Sequence, residues 1–131
     1  MGKPVFEVDL NTPDGKRGRA RAVFDTGSHR SLIREDRLPA GATSVPYVPQ
    51  RELKTAAQGG RLRVVGAEVL TNSAGDRMIE GEALVSPDLS QEMLIGSEMM
   101  QAWDISIRNA NGHTEVVIGR DHRDPDVQEV D

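Results

Sequence analysis

The chain has 131 residues, 37% of them hydrophobic and 3% aromatic, with a formal net charge of −5 and no cysteine. That length suits one domain rather than two, and the lack of cysteine excludes a disulfide scaffold, a thiolate metal site and a cysteine nucleophile. With 16 Lys and Arg against 21 Asp and Glu, no apolar run near the roughly 18 residues of a membrane helix and no signal-like start, a soluble, cytoplasmic protein without nucleic-acid or membrane partners is expected.

In chain order, Phe6, Val8 and Leu10 alternate with Glu7 and Asp9, the period-2 pattern of a strand with one buried face. Residues 11–15, Asn-Thr-Pro-Asp-Gly, supply turn chemistry, proline fixing φ and glycine accepting a positive one. The returning strand, 18–24, delivers Asp25 at its end. Ser31-Leu32-Ile33 continues apolar, and 34–38 has room for one helical turn or a loop. Pro39, Pro46 and Pro49 keep 39–52 out of a sheet interior, so an edge strand or loop is expected there.

A hairpin follows over 53–70 with Gln58-Gly59-Gly60 at its tip. Its apolar phase runs through Leu62 and Val64 and then shifts to Val65, Ala67 and Val69, which places a bulge near Gly66. A polar turn over 72–76 leads into a strand over 78–85. Met93-Leu94-Ile95-Gly96 is too short to place by period. Behind it Ser97 as N-cap, Glu98 in the first turn and the helix formers up to Trp103 predict a short helix. Ile105, Ile107, Asn111-Gly112 and Val116 to Ile118 predict a closing hairpin. The remainder carries five acids against two arginines, so a domain over 1–118 and a disordered acidic tail over 119–131 are expected.

Other constellations are weak. Arg17, Arg19, Arg21, Arg30, Arg34 and Arg37 read as solvated strand faces. His29, His113 and His122 lack metal-ligand spacing, and neither a metal nor a cofactor is expected. Met93, Met99 and Met100 read as core fillers, and Trp103 as packing the helix end. Asp25, Ser28 and His29 stand too close along one loop to form a serine-hydrolase triad.

Val23-Phe24-Asp25-Thr26-Gly27-Ser28, trailed by Leu32-Ile33, resembles the active-site loop of the aspartic proteases. Leu94-Ile95-Gly96 with the helix behind it resembles the hydrophobic-glycine element of the retropepsin-like members. The resemblance implies an all-β subunit of closed antiparallel β structure with one short helix, active as a homodimer on an extended polypeptide substrate. It implies Asp25 as the catalytic carboxylate. Thr26 would hydrogen-bond across the dimer interface, Gly27 would leave room for partner and substrate, and the Ser28 hydroxyl would reach Asp25 and favour its ionised form. Ala57, Gln58, Gly59 and Gly60 fall where retropepsins carry the flap that covers substrate.

Peptide hydrolysis needs a base to activate water and an acid to protonate the leaving nitrogen, and two adjacent carboxylates sharing one proton supply both. One Asp-Thr-Gly stands in 131 residues, so the second carboxylate has to come from a second copy. Two departures weaken the match. Retroviral enzymes carry an Asp after the loop that pairs with an Arg after the hydrophobic-glycine element, where this chain has His29 and Ser97. Val117-Ile118-Gly119 competes with Leu94-Ile95-Gly96 for the role of that element, but no apolar helix follows it. A non-catalytic dimerisation or peptide-binding module of the same fold is the alternative, and a small β domain whose Asp-Thr-Gly is only a turn is a third reading.

Overall fold

The computed structural model describes residues 3–55 and 60–121. Strands β1 (Val5–Asn11) and β2 (Arg17–Phe24) form the first hairpin, in register from Val5↔Val23 to Asn11↔Arg17. Val8 and Leu10 are buried while Glu7 and Asp9 are exposed, as the alternation predicts. Phe6, at the start of the strand, is 38% exposed and meets Phe24 edge to face at 6.1 Å. After β2 come β3 (Ser31–Arg34), a 3₁₀ turn (Glu35–Arg37), β4 (Val45–Thr55), β5 (Gly60–Ala74), β6 (Arg77–Ser86), β7 (Met93–Ile95) and helix α1 (Ser97–Ala102). The chain then forms the hairpin β8 (Ile105–Ala110) and β9 (His113–Ile118). Its turn residues Asn111 and Gly112 have φ of 50° and 77°, the left-handed pair that a two-residue Asn-Gly connection adopts.

The strands lie in the order β1-β2-β7-β3-β6-β5-β4, and β1 returns to β5 through Asp9–Asn11 against Thr71–Ser73. Six strands therefore close on themselves, with β4 appended outside β5. The fold is the expected closed all-β one with one short helix, and two of its pairings, β2 with β7 and β3 with β6, are parallel. β7 lies between β2 and β3, so Met93-Leu94-Ile95 is buried on both faces. A strand buried on both faces has no period to read. Met93 and Ile95 join one core, with Val8, Leu10, Phe24, Leu70, Trp103 and Ile118, while Leu94 joins a second with Leu32, Leu62, Val64, Ala67, Leu84 and Leu89.

β5 serves both cores and changes faces between them. Leu62 and Val64 pack in the second core and so does Ala67, whereas Val65 and Leu70 belong with the first. The parity flips at Gly66, where the phase of the sequence shifts. The ladder with β4 is irregular here, passing from Pro46↔Gly66 to Arg51↔Val64. A Cβ at Gly66 would lie 2.5 Å from the Val45 carbonyl oxygen, so the close approach requires glycine. β4 occupies the outer edge of the sheet and carries Pro46 and Pro49, consistent with the edge assignment.

α1 caps one end of the first core with Met99 and Met100, and Trp103 follows it, its indole Nε1 donating to the Glu80 carbonyl at 2.8 Å. The tail expected from residue 119 is described only as far as Asp121. The Asp121 carboxylate is buried and accepts a hydrogen bond from the Met78 amide at 2.8 Å, so the described structure reaches this far. Four of the six arginines singled out by their clustering are in ion pairs: Arg19 with Glu7 and Asp9, Arg30 with Glu82, Arg34 with Asp36 and Arg37 with Glu92. No helix among the described residues is long and apolar enough to cross a membrane.

Candidate active site

Asp25 follows directly on β2, and its amide donates to the Ile95 carbonyl at 2.9 Å, carrying the parallel β2–β7 ladder one step beyond Phe24↔Ile95. The chain then turns. Ser28 N–H donates to the Asp25 carbonyl at 3.2 Å, and Gly27 N–H donates to the Asp25 carboxylate Oδ1 at 2.9 Å. This is the side-chain-to-backbone turn that aspartate makes two residues on. It fixes the orientation of a carboxylate whose residue is only 4% exposed. A Cβ at Gly27 would stand 3.1 Å from that same Oδ1, so glycine leaves the carboxylate its room. Thr26 and Gly27 are exposed at the crest of the turn.

The second half of the loop is bound to the segment that starts α1. Ser97 N–H donates to the Ser28 carbonyl at 2.7 Å and Glu98 N–H to the His29 carbonyl at 3.0 Å. These amides have no acceptor within the helix, and the loop supplies it. Gly96 is therefore the N-cap, in extended geometry and without a side-chain cap, and not Ser97 as the sequence suggested. The Gly96 amide donates to the buried Ser31 hydroxyl at 3.0 Å. A Cβ at Gly96 would lie 2.7 Å from the Ser28 carbonyl oxygen and closer still to that of Arg30. Leu94-Ile95-Gly96 thus meets the Asp25 loop both as a strand neighbour and as the helix entry. The rival Gly119 sits at the base of the closing hairpin, its amide donating to the Asp104 carbonyl.

Two expectations about the loop change. The Ser28 hydroxyl does not reach Asp25; it donates to the Arg30 carbonyl at 2.8 Å. Ser28 is buried and its hydroxyl needs an acceptor, while the Asp25 oxygens are taken by other donors. The ion pairing between loop and helix is also present, with its charges exchanged. His29 Nε2 lies 3.4 Å from Glu98 Oε2 and Arg30 Nε 3.5 Å from the same atom, while Arg30 Nη2 reaches Glu82 Oε1 at 2.7 Å. The base stands on the loop and the acid on the helix, the reverse of the expected order.

The second oxygen of Asp25 has a partner that no sequence motif signalled. Lys3 Nζ lies 3.2 Å from Asp25 Oδ2, the lysine side chain half exposed and the carboxylate nearly covered. Lys3 is held there because Phe24 N–H donates to the neighbouring Pro4 carbonyl at 3.0 Å. Asp25, Thr26 and Lys3 open onto a groove of about 210 Å³ whose other wall includes Ile107, Asn109 and Thr114 of the closing hairpin. Among the described residues, Asp25 is the only acid lining it. A smaller cavity of about 130 Å³ behind Arg30 is lined by Glu80, Glu82, Glu98 and Met99 and includes none of residues 25–29.

Of the flap residues, Ala57, Gln58 and Gly59 lie outside the described residues, and Gly60 is the exposed first residue of β5, paired with Thr55. Among the described residues no three histidines or acids gather into a group that could hold a metal.

No family model matches the chain, and no curated protein matches it by sequence. Its structure is similar to that of EIAV protease, solved in complex with the inhibitor HBY-793, at 17% sequence identity and a TM-score of 0.59. The match covers 83% of this chain and 95% of that one. With the strand order, the Asp25 loop and the helix behind Gly96 on hand, the likeness identifies the architecture: this chain has the retropepsin-like all-β fold.

Proposed function

We propose that the chain is one subunit of an aspartic endopeptidase, active as a homodimer, in which Asp25 and the partner's Asp25 activate a water molecule between them. The observation that carries the reading is the immobilised Asp25 carboxylate, buried at a strand end, tied by the Gly27 amide and the only acid among the described residues of its groove. Two carboxylates close together cannot both ionise. The ionised one takes a proton from the attacking water while the protonated one gives its proton to the carbonyl oxygen; the first then passes the proton it took to the leaving nitrogen as the second recovers one from a hydroxyl of the collapsing gem-diol. Exposed Thr26 and Gly27 would face the partner's loop, and an extended substrate strand would lie beneath residues 57–60, held partly by main-chain hydrogen bonds.

The similarity to EIAV protease supports the reading at the level of fold. The test is cleavage of a diverse peptide library by the wild-type chain beside Asp25→Asn, each followed across pH. Cleavage that vanishes in the variant is expected; cleavage that persists unchanged rules out the dyad. A second reading, a module of the same fold that binds or dimerises without cutting, is favoured by one feature. The Lys3 ammonium already partners Oδ2 of the Asp25 carboxylate, the oxygen that Gly27 leaves free. Asp25-dependent cleavage excludes that reading.

A further inference from the structure

We infer that Lys3 is an autoinhibitory latch on Asp25: in the free chain its ammonium fills the approach to the carboxylate, and a substrate has to displace it before the carboxylate can act. This rests on the reading of Asp25 as a catalytic carboxylate. Among the described ion pairs, this is the one whose acid is nearly covered. The Asp25 side chain is 5% exposed, while the acids of the others are between 23% and 67% exposed. Its oxygens are divided between two donors, Oδ1 taking the Gly27 amide at 2.9 Å and Oδ2 the Lys3 ammonium at 3.2 Å. With so little of the residue open, a water that is to reach Oδ2 enters where the ammonium stands.

The lysine is placed there without being clamped. Pro4 is buried and its carbonyl accepts the Phe24 amide, which sets the backbone of Lys3 beside the strand end that carries Asp25. The ladder asks nothing of Lys3 itself, because β1 begins at Val5 and Pro4 has no N–H to donate. The Lys3 side chain is 51% exposed and pairs with no other acid among the described residues. It therefore swings into solvent at the cost of one ion pair, on the fast timescale of an exposed side chain. The groove holds one acid and one base among its described residues, Asp25 and Lys3, beside the neutral Thr26, Asn109 and Thr114. No second acid there draws the ammonium off Asp25, so the closed arrangement is the resting one. A half-exposed pair biases an equilibrium by a few-fold and does not lock it. Substrate binds the open fraction, which lowers its apparent affinity, and saturating substrate draws every molecule open. The latch thus acts on KM and leaves kcat alone.

The test measures peptide cleavage by the wild type, Lys3→Met, Lys3→Arg and, as a control on the exposed β1–β2 turn, Lys16→Met. Beside it, the rate at which acetic anhydride acylates each lysine is followed by mass spectrometry in the wild type and in Asp25→Asn. Lys3→Met is expected to lower KM by about twofold to fivefold at unchanged kcat, whereas Lys3→Arg, which keeps the charge, and Lys16→Met do not lower it. Lys3 is expected to react about twofold to fivefold faster in Asp25→Asn than in the wild type, and Lys16 equally in both. A KM unchanged or raised in Lys3→Met, or Lys3 acylation indifferent to Asp25→Asn, overturns the inference. Should Lys3→Met fail to fold, the acylation rates decide alone. Asp25-dependent cleavage with KM unmoved by Lys3→Met removes the latch and leaves the protease reading. No cleavage by any variant, with Lys3 still shielded through Asp25, keeps the contact and removes the protease reading.

Discussion

Gly96→Ala is expected to be among the most damaging single-methyl additions this chain can receive. The new Cβ would meet the carbonyl oxygens of Ser28 and Arg30. Both are backbone atoms, so neither can rotate away. Relief requires the entry to α1 to lift from the loop, which loses Ser97 N–H to Ser28 O and Glu98 N–H to His29 O. At about 1 kcal/mol for each hydrogen bond and about 1–3 kcal/mol for overpacking, the loss comes to roughly 3–5 kcal/mol. With a urea m-value of about 2 kcal/mol/M, the unfolding midpoint falls by about 2 M.

Gly119→Ala is the matched comparison. Its new Cβ would meet chiefly the Asp104 side chain, which can change rotamer at a cost of about 1 kcal/mol. Urea unfolding followed by circular dichroism measures both variants. A Gly96→Ala protein within 1 kcal/mol of wild type by this about ±10% method, or one less affected than Gly119→Ala, would refute the close-packed entry and the choice between the two glycine elements.

Ser31→Ala removes the acceptor of the buried Gly96 amide and is expected to cost about 1–3 kcal/mol, read by the same unfolding curves. Glu98→Gln dissolves the exposed clasp with His29 and Arg30; a change below about 1 kcal/mol is expected, and 1 M salt, whose screening length is about 3 Å, should erase what there is. Asp88 accepts from the Arg63 guanidinium at 2.9 and 3.0 Å and from the Arg63 amide at 3.0 Å, and these hydrogen bonds hold its carboxyl below the ordinary value of 3.8. A carboxyl depressed in the folded state stabilises above its unfolded value and stops doing so as pH falls through the folded one. The stability gap between wild type and Asp88→Asn should therefore be full at neutral pH and close below pH 3.8, and a gap that widens in acid would contradict it.

What the sequence disclosed was what local chemistry decides. The alternation of Val8 and Leu10, the Asn111-Gly112 turn and the face exchange at Gly66 each depend on a few adjacent residues, and each is where the pattern put it, although Val69, read in phase with Ala67, is 38% exposed. The parallel neighbours of β7 depend on crossovers and are invisible in a three-residue apolar run. The Asp25 loop was legible as a motif, and its contact with Gly96 as a resemblance. The Lys3 ion pair was not, because one lysine near a chain end carries no pattern until β1 and β2 bring it beside Asp25. The exchanged clasp was missed for a similar reason: reading positions 29 and 97 found the expected charges absent, while the working pairs involve Arg30, Glu82 and Glu98. The hairpin was predicted, but its overhang beside Asp25 is a matter of tertiary placement.

β4, on the outer edge, bears on how the molecule avoids unwanted company. An exposed sheet edge invites strand addition from any passing chain. Pro46 and Pro49 offer no amide hydrogen there, and Glu52 and Lys54 are exposed and charged. That flank resists templated growth. A protein whose proposed activity requires crowding two copies together thus keeps one side inhospitable to strands, so that raising its concentration favours a closed pair over an open-ended stack.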